Sequence, residues 1–192
     1  MLKEILEKEL ITVYHGGNQY FTKIDPKYML TDNSNAQEGI GIYFAENIET
    51  AKGYGDKIVY TEIDKSKFID SQDFMSDYIN DSQLEKFAIE INKICQKNKN
   101  VKEKIFYSIS NWIEIYEPDD VNEYNILDYL NNIIDEEVRN FQIELAENIG
   151  VVNFVNIWNK LLKNIHGTFQ KQGKGDTFYA IINTNYKIKK FL

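Results

Sequence analysis

Residues 37–54 read QEGIGIYFAENIETAKGY. Gly39 and Gly41 flank Ile40, the apolar run IYFA follows, and Tyr43 and Tyr54 stand eleven positions apart. Two glycines let the chain fold tightly ahead of the run, because no Cβ restricts the backbone there. The run itself, with its β-branched and aromatic residues, predicts a strand. Residues 46–54 predict a helix ending near Gly55. If that helix packs back on the strand, Tyr54 returns to face Tyr43. The two rings would then frame a slot for a flat heteroaromatic ring, with a further gain for a cationic one. Taken alone, the residues leave a second reading open, in which both tyrosines are core.

Upstream, residues 2–10 predict a short amphipathic helix, and ITVYH (residues 11–15) predicts a strand running into a turn at Gly16 and Gly17. Downstream, KIVYTEI (residues 57–63) predicts a third strand. The pattern changes near Asp70. Ser82 and Glu85 match a capping box, and Leu84, Phe87, Ala88, Ile91, Ile94 and Cys95 follow at helical spacing. Further apolar stripes run from Val101 to Ile113, from Ile126 through Val138 to Leu145, and after Gly150; Pro118 breaks the series, with Asp119 or Asp120 available as a cap. These stripes read as core packing. The tail returns to strands, with HGTFQKQ and TFYAIINTN forming a hairpin around a glycine-rich turn and YKIKKFL adding a last strand. The expectation is a single α+β domain over residues 1–192, with a sheet core at 1–70 and 167–192 and a helical insertion at 71–166.

Composition narrows the function classes. The 192 residues include 43% hydrophobic and 14% aromatic side chains, enough for a substantial core. Thirty acids against 22 basic residues give a net charge of −8, and Arg139 is the one arginine. Direct nucleic-acid binding is therefore not expected. Cys95 is the one cysteine, which excludes an intramolecular disulfide and a cysteine-based zinc site, and no metal is expected. The charged first residues and the lack of a long apolar run predict a cytoplasmic protein without membrane contact. Charge is uneven: residues 71–166 carry 9 basic residues and 17 acids, whereas residues 167–192 carry 5 lysines and one acid, Asp176.

Two segments, YHGGNQYF (residues 14–21) and GIGIYFAENIETAKGY (residues 39–54), together resemble the NAD-dependent ADP-ribosyltransferases of the diphtheria-toxin and poly(ADP-ribose) polymerase type. The shared marks are a His-Gly strand, a G-x-G-I-Y-F strand, and a tyrosine eleven positions on at A-x-x-Y. The order of Tyr14, His15, Gly16, Phe21 and Asp25 is similar to that of small bacterial and phage members. The tail YAIINTNYKIK (residues 179–189) resembles their closing strand. The resemblance implies a split mixed or antiparallel sheet, with NAD as co-substrate. It implies that Tyr43 and Tyr54 sandwich the nicotinamide, that the Gly16 backbone pairs with the carboxamide, and that His15 bonds the adenosine ribose. Gly17, Gly41 and Thr50 complete the implied cofactor-binding set, and His15, Tyr43 and Asp176 form the expected catalytic set.

Two departures stand out. Relatives place a glutamate immediately before the tyrosine matching Tyr179, and this chain has Phe178. Asp176, two residues earlier, shares the strand face of Phe178 by period-2 alternation. It reads either as an offset carboxylate or as a hairpin-turn residue. Ala51 stands where relatives often have serine. The reading implied is a mono-ADP-ribosyltransferase acting on a macromolecular, protein acceptor, with polymer formation not expected. An NAD glycohydrolase and an inactive NAD-fold binding module are the alternatives. RNA 2′-phosphotransfer, known on a related fold, is poorly served by a single arginine. The acidic insertion is the expected specificity element, suited to a basic partner such as a nucleic-acid-associated host protein. The plainer reading of its charge is solvated helix faces. An effector directed at a host fits the small phage-encoded members. The sequence does not indicate an oligomeric state.

Overall fold

The computed structural model describes residues 9–29, 38–172 and 175–191. The helix expected over residues 2–10 lies outside these apart from its end, where Leu10 opens strand β1 (Leu10–Gly17). The architecture is α+β, with seven strands in a mixed sheet and six α-helices among the described residues. β2 (Ile42–Ala45), α1 (Ile48–Lys52), β3 (Lys57–Asp64) and β4 (Phe68–Asp70) follow β1. Helices α2 (Asp81–Cys95), α3 (Lys99–Ser110), α4 (Glu123–Ile133), α5 (Val138–Ile149) and α6 (Val151–Leu161) come next. The chain closes with β5 (Gly167–Lys171), β6 (Thr177–Ile181) and β7 (Lys189–Lys190).

The sheet order is β4-β5-β6-β2-β1-β3-β7. β4 and β5 are parallel, and every other pair is antiparallel. Helices α2–α6 thus form the connection between two parallel neighbours, as the switch from strand to helical periodicity predicts. All five residues of β6 are buried, the pattern of a strand covered on both faces. The outermost strands are three and two residues long, and β7 is Lys-Lys; short and charged edges discourage pairing with other chains. One hydrophobic cluster runs from Val13, Phe44 and Val59 in the sheet to Phe87, Phe141 and Trp158 in the helices.

Several local expectations shift. β1 continues through both glycines instead of turning before them, because β3 offers partners as far as Gly16↔Ile58 and Gly17↔Lys57. The capping box of α2 is Asn80 with Gln83, two residues ahead of Ser82 and Glu85: Asn80 Oδ1 accepts the Gln83 N–H at 3.0 Å, and Gln83 Oε1 accepts the Asn80 N–H at 3.1 Å. Asn122 caps α4, in place of Asp119 or Asp120, which fall in the 3₁₀ turn started by Pro118. The stripe from Ile126 to Leu145 is two helices rather than one. Part of the glycine-rich turn between β5 and β6, residues 173–174, lies outside the described residues.

Trp158 joins the helices to the sheet. It is fully buried, and its Nε1–H donates to the Ile165 carbonyl at 3.0 Å, just ahead of β5. Trp158→Ala should lower unfolding free energy by about 3–5 kcal/mol, as large-to-small core changes do, read as a shifted urea midpoint at unchanged slope. Trp158→Phe should cost less, since it chiefly leaves the Ile165 carbonyl unpaired.

Candidate active site

Strands β1 and β2 are neighbours, yet their one paired position is Tyr14↔Ala45. Beyond it, in the direction of His15 and Gly16, the backbone ladder stops and a cavity of about 440 Å³ opens. A size of roughly 300–1,000 Å³ is typical of small-molecule sites. The His15 imidazole spans the divergence, with Nδ1 2.8 Å from the Tyr43 carbonyl oxygen. A carbonyl can only accept, so Nδ1 carries the hydrogen and Nε2 is left with a lone pair when the ring is neutral. Burial holds the His15 pKa below the ordinary histidine value, while the bond to Tyr43 acts weakly the other way. The edge of Phe21 at 5.1 Å and the tilted ring of Phe44 at 5.6 Å fix the imidazole from two sides.

Gly16 meets α1 closely: a Cβ there would lie 1.8 Å from the Ala51 carbonyl oxygen. No side chain fits, so β1 and α1 come together over a bare backbone. α1 starts at Asn47, whose Oδ1 accepts the Glu49 N–H at 2.9 Å. After Gly53, Tyr54 emerges at the lip of the cavity, 67% exposed and edge-on to Phe178 at 6.3 Å. Tyr43 lies deeper. Its hydroxyl donates to the Gly39 carbonyl at 2.5 Å, and burial, reinforced by the nearby Glu38 charge, holds the phenol well above its ordinary range. It stays protonated at any physiological pH and acts as an aromatic wall, not as a base.

The cavity therefore gathers His15, Gly16, Tyr43 and Tyr54 from the residues expected on sequence. Four others stand apart from its walls. Gly41 is pressed onto β6, where a Cβ would lie 2.6 Å from the Ala180 carbonyl carbon. Gly17 packs against Gly55. Thr50 sits within α1, its carbonyl accepting the Gly53 N–H at 3.0 Å, while its neighbour Ala51 lines the cavity. Asp176 holds the hairpin to the start of α1: one carboxylate oxygen accepts the Thr177 N–H at 2.9 Å and the Asn47 N–H at 3.3 Å. Phe178, on the same strand face, does line the cavity. His166 is a packing residue, bonded to the Tyr186 hydroxyl at 2.6 Å.

Sequence reasoning missed Glu38. It is 6% exposed and is the one carboxylate among the described residues that line the cavity. Burial raises its pKa, partly offset by hydrogen bonds from its own backbone and from Gln172, whose Nε2 donates to Oε1 at 3.2 Å. The signal lay in its position, an acid immediately before the G-I-G turn. Gly39 has φ +99°, a conformation that favours glycine, and it turns the chain so that Glu38 faces inward. Among the described residues no group of three or more metal-binding side chains comes together, and no helix is long and apolar enough to cross a membrane.

No family model matches the chain, and no curated protein matches it. Among solved structures the chain is similar to an anti-CRISPR protein, at 12% identity and a TM-score of 0.39 over 95% of this chain and 96% of that one, a likeness too slight to carry an argument about function.

His15 gives this site a pH signature. Its folded pKa is depressed, so between that value and the ordinary value of about 6.5 the unfolded chain binds the extra proton. Its contribution to stability is then full above the unfolded pKa and is lost as pH falls through this window. Urea melts of the parent and His15→Gln at pH 7.5 and 5.5 should show a smaller acid-side loss in the variant. An equal loss in both would assign the effect to other groups, His166 first, since burial lowers its pKa as well.

Proposed function

We propose that the chain is a mono-ADP-ribosyltransferase, moving ADP-ribose from NAD to a protein acceptor with release of nicotinamide. The observation supporting this is the convergence of His15, Gly16, Tyr43 and Tyr54 on one cavity where β1 and β2 part. In this reading the nicotinamide enters between the Tyr43 and Tyr54 rings, and Nε2 of His15 accepts a ribose hydroxyl. The ring is cationic in NAD, which suits electron-rich faces beside a carboxylate. A second cavity of about 750 Å³, lined by Tyr20, Lys52 and Phe191, shares the Tyr54 wall and offers room for the rest of the dinucleotide. Lys190 Nζ stands 4.8 Å above the Tyr20 ring there, a cation suited to a phosphate-bearing ligand.

The helical segment supports a basic acceptor. Between Lys104 and Arg139 the sequence carries nine acids and no basic residue, and Trp112, Tyr116 and Tyr124 are exposed in that interval. Aromatic anchors within a field of one sign suit recognition of a partner of the opposite sign. Phe178 favours a second reading, an NAD-binding module without turnover, because this buried ring stands where an acid would serve the chemistry.

Calorimetry with NAD should show saturable binding that Tyr43→Ala and Tyr54→Ala each weaken at least tenfold, about 1.4 kcal/mol; unchanged affinity in both would sink the reading. With NAD labelled in the adenylate half, a bacterial lysate should yield labelled protein. Free ADP-ribose alone would point to a glycohydrolase, and neither product to the inactive module.

Charge reversal of exposed acids on the helical segment, Asp128→Lys with Asp135→Lys, should reduce labelling of the acceptor while sparing nicotinamide release in the absence of acceptor. A parallel fall in both activities, with the fold intact by circular dichroism, would contradict the separation of recognition from chemistry.

A further inference from the structure

We infer that Glu38, on the loop ahead of β2, is the catalytic carboxylate of this cavity, a role that strand β6 does not fill. The inference rests on the NAD reading above. Breaking the bond between the ribose C1′ and the nicotinamide nitrogen sends the electron pair to nicotinamide, which leaves neutral. C1′ takes on oxocarbenium character, and a nucleophilic atom of the acceptor or of water then bonds to it and releases its proton to solvent. A fixed negative charge beside the ribose stabilises that cation more than it stabilises bound NAD. Phe178 has no charge to give, and Asp176 does not line the cavity, its Oδ1 instead holding the hairpin to the start of α1. Glu38 is buried in the cavity wall, close enough to Tyr43 for its charge to act on the phenol.

Its loop is held from four sides, as a preorganised charge must be. The Thr168 hydroxyl donates to the Glu38 carbonyl, and the Tyr43 hydroxyl donates to the next carbonyl, that of Gly39, at 2.5 Å. Gln142 Oε1, fully buried on α5, accepts the Ile40 N–H at 2.9 Å. Gln172 Nε2 donates to the carboxylate itself at 3.2 Å. A purely structural acid would not need to be this buried without a cationic partner among the described residues; burial without a counter-ion disfavours the charged form. Keeping an ionisable group in such a place is the pattern of a functional site rather than of a packing residue.

The test compares the parent with Glu38→Gln, Glu38→Asp and Asp176→Asn, using NAD itself as the probe. Calorimetry gives NAD affinity, chromatography gives nicotinamide release, and thermal melts give stability. Glu38→Gln should bind NAD almost as the parent does yet release nicotinamide about 10²–10³ times more slowly. Its residual activity should lose the part of the acid limb of the pH–rate profile that reports Glu38, keeping the part set by His15. It should also melt higher at neutral pH: the folded pKa of Glu38 lies above the unfolded one, so its ionised form opposes folding there, and the amide removes that penalty. Glu38→Asp should recover part of the rate, and Asp176→Asn should keep the parental rate. Parental turnover in Glu38→Gln, or a loss confined to Asp176→Asn, would overturn the role of Glu38 while leaving the NAD site intact. A parent that binds NAD without releasing nicotinamide would also overturn it. A parent that does not bind NAD would overturn the NAD reading itself, and this role with it.

Discussion

A single hydrogen bond, from the His15 imidazole to the Tyr43 carbonyl, sets the form of everything around the cavity. Two neighbouring strands normally satisfy their facing backbone groups with each other. Here β1 and β2 do so at Tyr14↔Ala45 and then separate. The side chain of His15 reaches across and satisfies a carbonyl that would otherwise face the opening without a donor. The strands are thereby kept at the distance of a ring rather than the distance of a ladder. Phe21 and Phe44 hold the imidazole in place, and the bond selects the tautomer that leaves Nε2 free to accept.

The elements that rest on local pattern were legible in the sequence. The run IYFA became β2, residues 57–63 became most of β3, and the apolar stripes after Asp70 became five helices packed on one face of their own periodicity. His15, Gly16, Tyr43 and Tyr54 line one cavity because β1, β2 and α1 are consecutive and short connections leave few ways to arrange them, although the Tyr54 ring packs on Phe178 at its lip. Glu38 was not legible for the opposite reason. Its burial depends on Gln142, Thr168 and Gln172, all more than a hundred positions downstream. The acid ahead of the G-I-G turn is visible in the sequence, but which way it faces is set by these distant partners. Of the two readings of Asp176, its hydrogen bonds fit the hairpin-turn residue. Alternation fixes its strand face but not its partner, and the Asn47 and Thr177 amides were nearer than the cavity.

Gln142 gives the helices a part in the site as well as in the core. The α5 side chain that meets Ile40 N–H is fully buried, and its amide nitrogen is without a partner among the described residues. Burying such a donor carries a penalty of about 1–3 kcal/mol. A leucine of similar volume would avoid it but would leave the Ile40 amide unpaired. The helical connection is therefore tied to the loop that carries Glu38, and it shapes the cavity wall as well as the core.

The parallel pairing of β4 with β5 also governs when the cavity can exist. Phe68 and Gly167 lie about a hundred residues apart in the chain, and the helical segment spans the loop that their pairing closes. Closing so long a loop is slow relative to the local contacts within helices and hairpins. Phe178 lies on β6 and Gln172 directly follows β5, so one wall of the cavity depends on pairings of high sequence separation. During synthesis on the ribosome, His15, Tyr43 and Tyr54 emerge long before that wall. The cavity is therefore complete only once Gln172 and Phe178 have docked beside residues synthesised long before them.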